Sequence, residues 1–410
     1  MRRPSPWLLL VVILLGAFIL CDPRLQQVEG IFLDWFLQHA EPVLPTAQVT
    51  LVELGRDDIL RLTPPAELKP IPKGEAVRRS LSPLEYALFL QAILEFQPAV
   101  IGIEPILIWR KRDKAQEQVF IDQAMRVPKL LVGLELGGRG EHDPEPEDLG
   151  ALPNVTGNRG ELPPFTGVSR GPDDDIRLIS TPGFINFPNE LSNRLRVPML
   201  FEYRGEIVPS FVLQAIMLWL RATPADVKVE LGARISLPNG WQIPLHPDGT
   251  MTINPAAWQG VHHLTLNELL LATQDHEKNR PISSTVQNLK GQIVLVRIPE
   301  DPLQPPNIFS TAIATIQNNA YVHRAPTAIG WIITLAAALL GSFVWLISKT
   351  NLVLGAIIFS AGYMLIALGF LARDRLWLPT FLPLALLWFL VVVRLAGREQ
   401  AVKHGTAKTG

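Results

Sequence analysis

Three long apolar runs close the chain, and they constrain its fold more than any other feature. They cover residues 328–347, 352–372 and 376–395, and none has a charged residue in its middle. Each run is about 20 residues long, the length of helix that crosses roughly 30 Å of hydrocarbon. Only 18% of all residues are charged, against about 25% in soluble proteins. We therefore predict three transmembrane helices, because buried helices of a soluble core with connections this short would leave no polar face for water.

The N-terminal segment predicts one further crossing. Residues 7–21 are apolar and follow Arg2 and Arg3, which fits either the core of a signal peptide or an anchor. No pair of small residues marks a cleavage site before Cys21, and this favours an uncleaved signal anchor. Cys21 is the single cysteine, so an internal disulfide and a cysteine-built metal site are both excluded.

The distribution of Lys and Arg sets the orientation of these segments. Arg2 and Arg3 place the N-terminus in the cytoplasm, and four crossings return a basic C-terminal tail to the same side. The large central part is then extracytoplasmic, and the chain is a multi-pass protein of the cell membrane. The predicted parts are a signal anchor (1–21), an extracytoplasmic domain (22–327), three transmembrane helices (328–395) and a cytoplasmic tail (396–410).

The large central part alternates between strand and helix patterns. Runs of apolar, β-branched residues predict buried strands at 47–54, 99–103, 129–136 and 291–298. Helices are predicted between them at 82–96 and 113–126, and the first begins with a capping box of Ser82 and Glu85. Continuous apolar strands joined by helices of this length are typical of parallel βαβ units.

The remaining segments of this part give less regular patterns. Residues 28–36 have the spacing of an amphipathic helix, and residues 137–180 are rich in Gly, Pro and acids and predict a long, solvated loop. Short alternating strands with Asn-Gly and Asp-Gly turns predict antiparallel hairpins over 227–254. Helices are predicted again at 265–273 and 307–320. The predicted fold class is an α/β extracytoplasmic domain, with a parallel βαβ sheet and an antiparallel hairpin insertion, plus α-helical transmembrane segments.

Five stretches of the chain resemble one known family in the same order. They are VTLVELGRDDI (49–59), SLSPLEYALFLQAILEFQPAVIGIEPIL (80–107), LRVPMLFEYRGEIVPSFVLQAI (195–216), WQIPLHPDGTMTINPAAW (241–258) and LKGQIVLV (289–296). The pattern resembles the type-two CHASE domain, the cyclase/histidine-kinase-associated sensory extracellular domain of bacterial receptors. The resemblance implies a sensory domain outside the membrane, with one span before it and three after it. We expect a short form without an output domain.

The chain departs from this family's pattern at the ends of two strands. Glu104 stands where the family usually has Asp, and Arg297 and Ile298 replace a hydrophobic residue and Gly after the last strand. The segment 305–314 is a reduced form of the family's motif before the last helix.

Polar side chains follow the predicted parallel strands at the ends where ligands bind in open α/β sheets. Glu53, Asp57 and Asp58 follow the first strand, Glu104 follows the second, and Glu300 and Asp301 follow the last, which ends near Arg297. If these strands are neighbours, the group predicts a binding site for a cation or for a ligand with amines or hydroxyls. The alternative is that each acid caps a helix or pairs with Arg56, Arg78, Arg110 or Arg297.

The sequence contains none of the common catalytic or nucleotide-binding motifs. It has no GxxxxGK[ST], GxGxxG, GxSxG or HExxH, and the adjacent His262 and His263 would face opposite sides of a strand. We therefore predict no catalytic residues, no metal site and no cofactor. The net charge of −1 gives no basic field for nucleic acid.

Three functions remain open at this point. The favoured one is a membrane-anchored sensor that detects an unknown small molecule, ion or protein and passes the signal through its transmembrane helices to a separate signalling partner. The first alternative is a non-catalytic accessory membrane subunit whose outer domain binds protein, and the second is a periplasmic enzyme. The lipid bilayer is the one partner that composition implies directly. Small residues four apart, at 337 and 341 and at 356 and 360, allow close packing of the spans or a homodimer.

Overall fold

The computed structural model divides the chain into two units. One unit is Leu44–Tyr321, and the other combines Met1–Val43 with Val322–Gly410. The residues that the structure describes are 32–33, 35–37, 44–54, 81–109, 113–140, 143–187, 195–298, 307–343 and 349–396. The predicted anchor at 1–21 lies outside the described residues, as does nearly all of the tail at 396–410.

The unit Leu44–Tyr321 mixes short strands with seven helices in its described part. Numbered in chain order, its strands are β1 Val49–Glu53, β2 Val100–Ile103, β3 Leu130–Gly137, β4 Asn154–Thr156, β5 Pro164–Phe165, β6 Gly167–Arg170, β7 Thr181–Phe184, β8 Arg196–Pro198, β9 Leu200–Tyr203, β10 Glu206–Pro209, β11 Lys228–Glu230, β12 Arg234–Ser236, β13 Gln242–Pro244, β14 Thr250–Thr252, β15 His262–Thr265 and β16 Ile293–Arg297. Its helices are α1 Pro83–Leu94, α2 Lys114–Ala124, α3 Asp174–Leu178, α4 Phe211–Leu220, α5 Leu266–Glu277, α6 Ser284–Gln287 and α7 Ile308–Gln317.

A parallel sheet forms the centre of this unit. Its strand order is β15-β1-β16-β2-β3-β7, and all of these pairs are parallel, while β6 pairs antiparallel with the end of β3. The strands β1, β2 and β16 are buried along their whole length. Most side chains on both faces are then apolar, which explains the nearly continuous apolar runs in the sequence. The predicted mixed α/β fold with a parallel sheet is confirmed.

Helices cover both faces of the sheet. Ile101 and Ile103 share a core cluster with residues of α1, α2 and α5. Gly102 lies between them in β2 and faces the other way, where an added Cβ would be 3.0 Å from the ring of Phe211 in α4. Phe211 stacks on Phe309 of α7 with ring centroids 5.3 Å apart. The unit is therefore a three-layer sandwich, with α1, α2 and α5 on one face and α4 and α7 on the other.

Three helices begin directly after capping residues, and the capping box at Ser82 is as predicted. Ser82 caps α1 through a capping box with Glu85, and Pro83 occupies the first turn. Asp113 accepts hydrogen bonds from two backbone N–H groups at the start of α2. Thr265 forms a second capping box at the start of α5. These side chains satisfy backbone donors that have no partner within a helix, so each helix begins where its cap stands.

The insertion is more structured than the sequence indicates. The segment predicted as a long loop, 137–180, contains β4, β5, β6 and α3. The prediction missed them because strands of two to four residues are too short for periodicity to register. The strands β11, β12 and β13 form the expected antiparallel pairs, but β14 pairs with β8 instead of continuing that sheet.

The second unit is mainly helical in its described part. Its helices are α8 Thr327–Phe343, α9 Lys349–Asp374 and α10 Phe381–Ala396, and its strands are β17 His323–Arg324 and β18 Leu376–Trp377. Among the described residues, one helix segment, Asn351–Arg373, is long and apolar enough to cross a membrane, while α8 and α10 are shorter apolar helices. The third apolar run of the sequence is shortened because Leu376 and Trp377 pair in parallel with β17.

The start of the chain contributes a short helical segment to this second unit. Phe32, Leu33 and residues 35–37 are helical, within the segment predicted as an amphipathic helix. Phe32 contacts the ring of Phe381 at 5.7 Å between centroids, and Phe36 contacts Trp377 at 5.4 Å. Aromatic contacts thus fix the described part of this helix against the start of α10.

Candidate functional site

The candidate site lies at the carboxyl ends of β1, β16 and β2. The chain segments that follow these strands turn to opposite faces of the sheet. After β1 and β2 the chain passes to α1 and α2 on one face of the sheet. After β16, which lies between those two strands, it passes to α7 on the other face. Such a reversal leaves a crevice outside the carboxyl ends of the strands, and ligands of open α/β sheets bind there.

Glu53 and Arg297 meet at this edge. They are register partners at the ends of β1 and β16. An Nη2 of Arg297 lies 3.5 Å from Oε1 of Glu53, and the two side chains are 9% and 11% exposed. The pairing predicted as an alternative to ligand binding is therefore present. Moving two charges out of water costs several kcal/mol per ion in real proteins, so a pair this buried needs further hydrogen bonds.

Asn307 supplies one of those hydrogen bonds. The Nη1 of Arg297 donates to Oδ1 of Asn307, the residue that precedes α7. The Nε of Arg297 is buried and has no hydrogen-bond partner in the part of the chain that the structure describes. Asn307 has a backbone φ of 66°, a left-handed conformation that Asn tolerates better than most residues. The sequence indicates Asn307 only as the first residue of a predicted helix, and no local signal shows that its side chain meets Arg297.

Glu104 stands at the end of the neighbouring strand. It directly follows β2, its residue is 5% exposed, and its backbone N–H donates to the Val296 carbonyl at 3.0 Å. A Cβ added to Gly133 would lie 2.3 Å from the Glu104 carbonyl oxygen, so β3 approaches this strand end closely. The structure thus places Glu104 at the strand end where the sequence predicted it, one strand away from Arg297.

Four of the predicted site residues have no structural description. Asp57, Asp58, Glu300 and Asp301 lie outside the described residues, so only Glu53, Glu104 and Arg297 of the predicted group are placed. Within the described ranges, no group of three or more His, Cys, Asp and Glu side chains is arranged to hold a metal ion. Ligand binding by the predicted residues stays a prediction.

A row of polar side chains runs along α7 from this edge. The Oγ1 of Thr311 donates to the Asn307 carbonyl at 2.7 Å, and the Oγ1 of Thr315 donates to the Thr311 carbonyl at 2.7 Å. Thr315 also accepts the backbone N–H of Asn254 at 3.1 Å, and the Asn254 amide donates to the Ala320 carbonyl at 3.2 Å. Thr311, Thr315 and Asn254 are all buried. We call these four residues, Asn307, Thr311, Thr315 and Asn254, the α7 polar row.

A second buried charge pair lies in the insertion and was not predicted. Asp143 belongs to a run expected to be solvated, but its side chain is 4% exposed. It accepts hydrogen bonds from the N–H of Gly140 at 2.6 Å, the N–H of Val168 at 3.0 Å and Nη2 of Arg204 at 3.2 Å. Burial alone would raise the pKa of Asp143, but the two N–H groups and the Arg204 charge outweigh it and lower that pKa. Its oxygens are engaged within the fold, so the pair is a structural tie between loop and hairpin.

The chain was compared with known proteins. The family model of the CHASE2 domain matches residues 8–348. No match was found among curated proteins or among solved structures. The match covers well over half of the 410 residues and includes every strand of the central sheet. The chain therefore belongs to the CHASE2 family, a family of sensory extracellular domains.

Proposed function

We propose that this protein is a multi-pass membrane sensor whose outer domain is extracytoplasmic and passes a signal through α8, α9 and α10 to a separate partner protein. The ligand is bound at the carboxyl edge of β1, β16 and β2, and the domain catalyses no reaction. One observation carries the proposal: α7 begins at the Arg297–Asn307 contact and is the last helix before the chain leaves the α/β unit.

The α7 polar row supports a rigid connection along this helix. Each Oγ1 is bonded to the carbonyl one turn earlier, and Asn254 ties the row to the segment before β15. Removing the partner of a buried polar group destabilises the folded protein. Such a row therefore has few alternative arrangements. A displacement of Asn307 by a ligand at Arg297 would therefore be carried along α7 as a unit.

The far end of α7 is tied to the segment where the chain enters the same unit. The Nε2 of Gln317 donates to the Gln48 carbonyl at 3.1 Å, and Nδ2 of Asn318 donates to the Pro45 carbonyl at 2.8 Å. The unit begins at Leu44 and ends at Tyr321. A shift of α7 would thus reach both points at which the chain continues into the second unit, which is the requirement for a signal to leave the domain.

A sensor also needs two conformations that its ligand stabilises to different extents. The coupling free energy between two sites is typically about 1–3 kcal/mol. One or two altered hydrogen bonds at Arg297 can supply a free-energy difference of that size. Replacing Arg297 should therefore change the signalling state, whereas replacing an exposed arginine should leave that state unchanged.

A crosslinking experiment in native membranes tests this function. A photo-crosslinking residue is placed at position 403 in the tail of the full chain, and partners are identified for the wild type, for Arg297→Gln and for Arg234→Gln. Arg234 pairs with Glu230 at 3.1 Å on the surface and serves as the matched control. We expect one partner with a catalytic cytoplasmic domain, captured in a different yield by Arg297→Gln only.

Three results would contradict the proposal. Equal capture of the partner by the wild type and by both variants would favour the accessory-subunit alternative. The candidate site would then have no influence on the interaction. A reporter fused after residue 200 that is active only in the cytosol would refute the orientation. Turnover of a substrate by the full chain would refute the purely binding role.

A further inference from the structure

The start of α7 has the features of an anion site. The first backbone N–H groups of a helix have no acceptor within the helix, and they carry a partial positive charge. A capping side chain usually accepts from them, but the side chain of Asn307 makes no such bond in α7 and accepts from Arg297 instead. The helix is ten residues long. Within the part of the chain that the structure describes, its N-terminal donors therefore remain open to an acceptor from outside the helix.

Arg297 provides an independent observation that points to the same ligand. Its side chain is 91% buried, it contacts the residue that precedes α7, and its Nε has no partner within the described residues. The distance of 3.5 Å to Glu53 is long, since charge-assisted N–H···O bonds are typically about 2.7–2.9 Å. An unpartnered buried donor is costly, so the guanidinium has capacity for an acceptor that the described chain does not supply.

We infer that Arg297 and the N-terminus of α7 form a subsite for an oxyanion, a carboxylate or phosphate group of a small ligand. The inference rests on the sensor function proposed above and names the chemical class of its ligand. The planar fork of Arg matches both oxyanions, and helix N-termini bind the same groups. A cation is disfavoured at this point because Arg297 already compensates the charge of Glu53. The bound oxyanion would compete with Glu53 and Asn307 for the guanidinium.

Thermal unfolding of the full chain in nanodiscs tests the subsite. Inorganic phosphate and acetate are each titrated against chloride at constant pH and ionic strength, which separates the two oxyanions from a general salt effect. We expect phosphate, acetate or both to raise the Tm of the wild type by a few degrees and to saturate. Arg297→Gln should lose this rise. Arg196→Gln, which breaks the pair of Arg196 and Asp248 elsewhere in the unit, should keep it.

A second variant decides the question if Arg297→Gln fails to fold. Asn307→Asp places a carboxylate where the oxyanion is expected, and Asp also tolerates the left-handed backbone at this position. We expect a Tm in chloride at least equal to that of the wild type, with no further rise on adding oxyanion. A wild type that responds to neither oxyanion overturns the inference, as does an Asn307→Asp variant that responds like the wild type. An oxyanion response without any change in partner crosslinking would leave the subsite intact and refute the sensor function.

Discussion

Replacing Thr315 with Val should destabilise the α/β unit by breaking the α7 polar row. Val has nearly the shape of Thr, so the substitution removes a hydroxyl and leaves the packing in place. The Oγ1 of Thr315 accepts the backbone N–H of Asn254 at 3.1 Å, and Asn254 is 2% exposed. That N–H would lose its acceptor in a site that water cannot enter.

The size of the effect follows from two opposing contributions. A buried donor without a partner costs about 1–3 kcal/mol, and burying an additional methyl group returns up to ~0.8 kcal/mol. The carbonyl of Thr311 that loses the Thr315 hydroxyl belongs to the helix and keeps its backbone bond, so it adds little. We expect a net loss of about 1–2 kcal/mol, which corresponds to a fall in Tm of roughly 2–6 °C for a domain of this size.

Thr273→Val is the matched control. In α5, the Oγ1 of Thr273 donates to the Leu269 carbonyl at 3.0 Å, which is the same type of bond to the preceding turn that Thr315 makes. Thr273 itself is half-buried. We expect this variant to change stability by less than about 0.5 kcal/mol. Both variants are measured as full-length protein by thermal unfolding in nanodiscs. Equal Tm values for Thr315→Val and Thr273→Val would refute the argument that the row holds α7 rigidly.

Three further predictions concern other parts of the molecule. The pKa of Asp143 is lower in the folded than in the unfolded protein, so Asp143 stabilises the fold above its unfolded pKa, and this stability is lost as pH falls through the folded pKa. Asp143→Asn should remove that part of the acid dependence of Tm. The substitution should cost about 2–3 kcal/mol at pH 7. Gly133→Ala should cost about 1–3 kcal/mol in denaturant unfolding, because its Cβ would lie 2.3 Å from a backbone oxygen, whereas Gly138→Ala, with no atom within 4 Å, should change little. Ala361→Arg, in the middle of the candidate span, should reduce insertion in a glycosylation-reporter assay by about 2.5–3.5 kcal/mol, and Asn351→Arg at its end by much less.

Four strands of the central sheet, β1, β2, β3 and β16, could be predicted because their signals are local. The strand ending at Glu53 and the helix capped by Ser82 each carry their own periodicity and capping residues within about a dozen positions. The same local signals supported the family resemblance. The helices α8 and α10 show the limit of this reasoning, since both derive from apolar runs that the sequence predicts as full spans, and the described helices are shorter.

Only part of the candidate site could be predicted from the sequence. Glu53, Glu104 and Arg297 stand at strand ends, which the sequence indicates, but it gives no sign that β16 lies between β1 and β2. Asp143 was misjudged for a related reason. Its neighbours in sequence are Gly, Pro and acids, whereas the groups that bury it come from β6 and from the hairpin at Arg204.

By itself, the amino-acid sequence determined the strands β1, β2, β3 and β16, where the helices α1, α2, α5 and α7 begin, and to which family the chain belongs. The tertiary structure alone decided that Arg297 meets Glu53 and Asn307, and that the helix leading out of the domain starts at that contact. The reason is physical. Periodicity and capping depend on neighbours within a few turns, whereas strand order and the pairing of buried charges depend on which distant segments pack together and exclude water.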